Sequence, residues 1–150
     1  MSETSSPKSK FIRQYYRSVY GHILMPVIVI SLATSKRRTI QITTECLLDS
    51  GSDHSIFSFE IADELGLRYK NASIETGVGF GGRFRFASFP GTVFLGTVSD
   101  SSLTHSFEMH PRFHEPGGDA PQVLGRLDFF NAFEHIEIFE SGKYVDLYPA

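Results

Sequence analysis

The chain has 150 residues, 41% of them hydrophobic and 21% charged, with a formal net charge of -3. A length of this order suits one domain that buries about 70% of its unfolded surface, so wholesale disorder is excluded. The charge balance also lacks the strongly basic character of a nucleic-acid-binding domain, and fourteen Phe and six Tyr against no Trp suggest a strand-rich, aromatic-packed fold.

In chain order, Met1 to Lys10 is polar, lacks the apolar core of a secretory signal and reads as a disordered tail. We expect residues 1–20 to be partly disordered and 21–150 to form the folded domain. Lys8, Lys10, Arg13 and Arg17, with Tyr15, Tyr16 and Tyr20 among them, read as a solvated basic face. Ile23 to Ala33 has the β-branched look of a buried strand. It is about half a membrane span long and contains Pro26, so no membrane partner is expected. Thr34 to Arg38 is a basic turn, and Thr39 to Leu48 returns as the second strand of a hairpin.

Ser58 to Leu67 carries apolar residues at helical spacing, with Ser58 as cap, Glu60 and Asp63 in the first turns and Gly66 near the end. Ser73–Val78 and Arg83–Phe89 alternate as strands joined by glycines. Gly91–Val98 and Leu103–Met109 form another hairpin around Asp100. Pro111 to Pro121 reads as a loop and Leu127 to Phe133 as a short helix. Ile136–Phe139 and Tyr144–Leu147 close the chain as a hairpin across Ser141-Gly142. Many short strands and two short helices predict an all-β protein built on a small closed β-barrel.

Cys46 is the only cysteine, so no disulfide forms within the chain. Its apolar strand makes it a core residue, and a chain of this kind suits a reducing, cytoplasmic setting.

The stretch richest in chemistry is Leu47-Leu48-Asp49-Ser50-Gly51-Ser52. An apolar strand delivers a carboxylate that is costly to bury without partners. Gly51 lets the backbone turn sharply, and the hydroxyls of Ser50 and Ser52 can tie the turn down. A carboxylate held in this way is suited to general acid–base work.

Asp49-Ser50-Gly51-Ser52 resembles the Asp-Thr/Ser-Gly-Ala/Ser signature of aspartic proteases. The wider setting is similar to the retropepsin-like family, which includes retroviral proteases and single-domain bacterial proteins. Asp53-His54-Ser55-Ile56-Phe57 reads like the family's continuation. The glycine-rich Gly77-Val78-Gly79-Phe80-Gly81-Gly82 lies where the family has its flap hairpin, and Val123-Leu124-Gly125-Arg126 matches its apolar-apolar-Gly-Arg motif. The resemblance covers roughly Ile23 to Tyr148.

It implies a retropepsin-like barrel, one lobe per chain, acting as an aspartic endopeptidase on an extended protein or peptide substrate. The implied catalytic residues are Asp49, Ser50 and Gly51. Ser52, Asp53, Gly77, Gly79, Phe80, Gly81 and Gly82 would bind substrate, while Gly125 and Arg126 would be structural, with Gly125 packed near Asp49. No cofactor or metal is implied. The chemistry needs two carboxylates sharing one proton, since like charges so close cannot both ionise. This chain supplies one: Asp100-Ser101-Ser102 lacks the glycine, and Glu140-Ser141-Gly142 offers Glu in a surface turn. The partner is therefore a second copy of the chain, as a homodimer with Asp49 facing its symmetry mate. The alternative is a catalytically inactive dimer of the same fold that serves as a peptide-binding or assembly module.

Other readings of these residues are weaker. Gly77–Gly82 satisfies the dinucleotide-binding glycine pattern, but an alternating strand follows it where a helix is needed. No kinase-type lysine strand or catalytic loop follows it either. His105, His110 and His114 invite a metal reading, but Pro111 and Pro116-Gly117-Gly118 break the helix that the spacing would require. His54 reads as a loop hydrogen-bonder, and Asp128 as a helix cap or a partner of Arg126. Asp49–Ser55 also has the form of a phosphodegron, which would have to be exposed and flexible.

Overall fold

Two strands precede the main sheet, Ile12–Tyr15 (β1) and Arg17–Val19 (β2). The computed structural model describes residues 10–19, 21–79, 82–118 and 121–150. Pro26 then divides the long apolar run, because it has no N–H to give to a ladder. Ile23–Met25 (β3) pairs back on β2 as a separate two-stranded ribbon, and Val27–Thr34 (β4) enters the sheet. Ile42–Leu48 (β5) returns antiparallel to β4, with Val27 opposite Leu47.

The chain continues through Ile56–Phe57 (β6), helix Phe59–Glu64 (α1), Ser73–Gly79 (β7), Gly82–Ser88 (β8), Phe94–Ser99 (β9) and Thr104–Met109 (β10). Arg112–His114 (β11), Val123–Leu124 (β12), Phe133–Phe139 (β13) and Tyr144–Pro149 (β14) complete it. Nine of these strands form one curled sheet in the order β10-β9-β4-β5-β12-β6-β11-β8-β7, and β1, β14 and β13 form a second. The hairpins expected from alternation and glycines are present. β12 is different in kind: it arrives from far downstream and lies between β5 and β6, parallel to the first and antiparallel to the second.

The core is aromatic. Phe113 is fully buried and meets Phe57, Phe89 and Phe94 at ring-centroid distances of 6.0, 5.6 and 5.6 Å. A second group joins Phe129 to Phe107 and Phe133 at 5.7 and 5.2 Å. Each such ring contributes about 1.5–3 kcal/mol through burial. Cys46 is 1% exposed inside this core, and burial pushes its thiol well above the ordinary range.

The first expected helix is shorter than its pattern. It begins after Ser58, whose side chain makes no capping bond, and Gly66 ends it at φ +77°. The second, expected over Leu127–Phe133, is a run of turns ending in a single 3-10 turn, Phe130–Ala132. Asp128 and Phe129 are both drawn into the interior there, and the amides of Phe129 and Phe130 both donate to the carbonyl of Gly125. The expected Pro111–Pro121 loop contains β11, a strand of three residues held between β6 and β8.

The expected 1–20 tail carries β1 and β2, while Met1–Ser9 and Tyr20 lie outside the described residues. Of the expected solvated basic face, Arg17 is exposed, whereas Arg13 is drawn against a buried carboxylate. Arg13 donates to both carboxylate oxygens of buried Asp146 at 2.8 and 2.9 Å and lies 3.9 Å from the Tyr144 ring centroid, and Arg17 pairs with Glu45. A bidentate pair to a carboxylate from a stacked guanidinium is the geometry arginine favours.

Candidate active site

β5 ends at buried Leu48, and backbone bonds from two neighbours hold the turn that follows. Leu48 N donates to the Pro26 carbonyl and Asp49 N to the Leu124 carbonyl, each at 3.0 Å. Asp49 thus stands at the mouth of the sheet, half-buried, between the strand before it in sequence and β12. Gly51 N donates to Asp49 Oδ1 at 2.9 Å, and Ser52 N to the Asp49 carbonyl at 3.1 Å, closing a tight turn. A side chain on Gly51 would sit 3.2 Å from Asp49 Oδ1. Ser50 stands exposed at the turn, and Ser52 Oγ donates to the carbonyl of His54 at 2.7 Å.

The 123–127 segment fastens this loop from below. Arg126 N donates to the Ser52 carbonyl and Leu127 N to the Asp53 carbonyl, both at 2.9 Å. The Arg126 guanidinium meets the Asp53 carboxylate at 2.5 Å, and this hydrogen bond holds Asp53 below the usual carboxylate range. Gly125 lies beneath the backbone of His54, one residue along from Leu124, whose carbonyl takes the Asp49 amide.

Asp128 is neither a helix cap nor the partner of Arg126. It is 6% exposed and accepts from Ser55 Oγ at 2.7 Å and from Phe129 N at 2.8 Å, while Gly125 N donates to Ser55 Oγ at 3.0 Å. This polar knot ties the loop after Asp49 to the turn after β12. Sequence reasoning missed it. The available signal was alternation: Ser55 and Phe57 point the same way on a strand, and both are fully buried.

The glycine-rich hairpin is β7 with β8, whose register runs from Ser73↔Ser88 to Gly79↔Gly82. Gly77 has no room for a side chain, since a Cβ would fall 2.5 Å from Cε2 of Phe86. Gly82 takes φ +116°, a conformation that favours glycine. Phe80 and Gly81 lie outside the described residues. The three histidines considered for a metal lie in different settings. His105 Nε2 bonds the Ala132 carbonyl at 2.8 Å, His110 is exposed, and His114 is buried against Phe86. Among the described residues no three His, Cys, Asp or Glu side chains are grouped to hold a metal ion, and no helix is long and apolar enough to cross a membrane.

A curled, nearly all-β sheet that holds an Asp-Ser-Gly turn over a crossing strand is the retropepsin-like fold, and the chain has it. A solved structure with this fold is the crystal structure of a retropepsin-like aspartic protease from Rickettsia conorii. Its TM-score is 0.57, and the match covers 96% of each chain at 12% identity. No protein-family model matches the chain, and no curated protein matches it in sequence.

Proposed function

We propose that the chain is one half of an aspartic endopeptidase, with Asp49 from each of two copies forming the catalytic pair. The observation that carries this reading is the seating of Asp49. A strand end and a crossing strand fix its backbone, and its carboxylate accepts from Gly51 N without being buried. In the dimer one carboxylate is ionised and takes a proton from a water molecule, whose oxygen attacks the scissile carbonyl. The other is protonated and hydrogen-bonds the oxygen on which charge develops. Collapse of that intermediate expels the amine, which takes a proton from the pair.

Ser50 and Gly51 shape the turn on which the two loops meet. Ser52 and Asp53 continue along the cleft, and an extended peptide lies between them and the β7–β8 hairpin, gaining backbone hydrogen bonds. Gly77, Gly79, Phe80, Gly81 and Gly82 form the closing element over it.

The test is cleavage of a diverse peptide library by wild-type protein and by Asp49→Asn, with the oligomeric state measured in parallel. Cleavage by a dimeric wild type that is lost in the variant is the expected result. Equal cleavage by both would place the chemistry elsewhere. A stable dimer that cuts nothing would favour a peptide-binding or assembly module of the same fold.

A further inference from the structure

Helix α1 ends in a turn whose outer side is positively charged. Gly66 closes the helix at φ +77°, and Leu67 N donates back to the Ala62 carbonyl at 3.0 Å. Leu67 and Tyr69 then pack against the core, so Arg68 between them, in extended backbone at φ -109° and ψ 126°, points outward. A second guanidinium reaches the same side. Ser35–Arg37 forms a 3-10 turn at the end of β4, tied down by Ser35 N donating to the Val93 carbonyl at 3.0 Å. It lays Arg37 across Gly66, where a Cβ would fall 2.5 Å from Arg37 Nη1 and 3.3 Å from the guanidinium carbon.

Beside Gly66 opens a cavity of about 330 Å³, lined by Gly66, Arg68 and Asn71 on one side and by Phe89, Pro90 and Thr92 on the other. Arg37 and Arg68 are both exposed, and neither forms an ion pair among the described residues. Lys36, Arg38 and Lys70 stand next to them in the chain, exposed and likewise without an ion pair there. The carboxylates nearest along the chain, Asp63 and Glu64 at the end of α1, are exposed and pair with neither arginine. Like charges gathered in this way repel one another unless a counter-charge is supplied. In a chain of net charge -3 they are also segregated from the acidic remainder.

We propose that this turn binds a phosphate group, held between the guanidinium groups of Arg37 and Arg68. Each guanidinium presents a fork of N–H donors that matches two oxygens of one phosphate. The Asn71 amide and the Thr92 hydroxyl, on the walls of the same cavity, supply further donors. A phosphate monoester carries about -1.5 to -2 charge near neutral pH, which balances two cations, whereas a carboxylate leaves one of them unbalanced. Lys36, Arg38 and Lys70 add to the attraction. Asp63 and Glu64 oppose it, but as exposed groups they are screened by salt. The phosphate belongs either to a small soluble molecule or to a lipid headgroup. None of these residues lies in the Asp49 turn or in the β7–β8 hairpin, so the site stands apart from the peptidase reading.

The test uses the full chain. The backbone amide signals of Gly66, Arg68 and Asn71 are followed by NMR during titration with inorganic phosphate and, at matched ionic strength, with acetate. Co-sedimentation with phosphatidic acid vesicles, and with neutral phosphatidylcholine vesicles, is measured in parallel. The expected result is a saturable shift with phosphate that is tighter than with acetate and about tenfold weaker in Arg37→Gln and in Arg68→Gln. Both side chains are exposed, so both variants are expected to fold. Arg83→Gln removes an exposed arginine elsewhere, on β8, and should leave the affinity unchanged. Saturation by inorganic phosphate identifies the phosphate group alone as sufficient, whereas a response confined to phosphatidic acid vesicles identifies the lipid headgroup. Equal weakening by Arg83→Gln, equal affinity for acetate, or no saturable response to either phosphate source overturns the proposal.

Discussion

Gly125 and the backbone of His54 are in such close contact that a Cβ on the glycine would fall 2.5 Å from both the carbonyl carbon and the carbonyl oxygen of His54. Neither neighbour is the free end of a side chain, so neither can move aside. Gly125→Ala is therefore expected to cost about 3 kcal/mol or more, or to prevent folding, because it separates the Asp49 loop from the segment that supports it. Urea denaturation measures this, and an alanine variant as stable as the wild type would show that the two segments are not locked together.

The pair Ser55 and Asp128 makes a second test of the same support. Asp128→Ala removes the acceptor of Ser55 Oγ and of Phe129 N while both stay buried. The expected loss is about 1–3 kcal/mol for each group left without a partner. In a double-mutant cycle, Ser55→Ala and Asp128→Ala should be clearly non-additive, because the second change removes little once the first has been made.

Asp49→Asn should separate stability from activity. The asparagine Oδ1 can still accept from Gly51 N, the bond that orders the turn. Thermal unfolding should therefore change by less than about 1 kcal/mol, while peptide cleavage falls to background. A large loss of stability would instead mark Asp49 as a structural residue.

In the glycine-rich hairpin, Gly77→Ala would push a methyl into the Phe86 ring, which in turn lies 5.5 Å from the ring of His114. We expect a cost of about 1–3 kcal/mol by overpacking, together with faster amide exchange across β7 and β8. Unchanged exchange would mean that the hairpin absorbs the methyl without strain.

His114 gives the fold a pH dependence of defined sign. Burial lowers its pKa from the ordinary value of 6.5. Near that pH the unfolded chain therefore holds more protons at this position than the folded one. The unfolding free energy should fall as the pH drops through about 6.5 toward the folded-state value. Chemical denaturation across this window should show a shallower slope in His114→Gln, and an identical slope would exclude the ring as the source.

Much of the sheet was legible in the sequence because its signals are local. Alternation in Arg83–Phe86, the glycines around residues 77–82 and the turn at Ser141-Gly142 each specify a hairpin from a few neighbouring residues. The turn at Asp49 was legible for the same reason, since the apolar run and the Asp-Ser-Gly that ends it are contiguous. The β11 strand, the unwinding of the second expected helix, the Ser55–Asp128 knot and the Arg13–Asp146 pair were not. Ser55 and Asp128 are 73 residues apart, and Arg13 and Asp146 are 133 apart. A three-residue strand or a buried carboxylate carries no periodic pattern of its own. It is stable where distant segments already supply the missing hydrogen bonds, and that supply exists only once the chain has closed on itself.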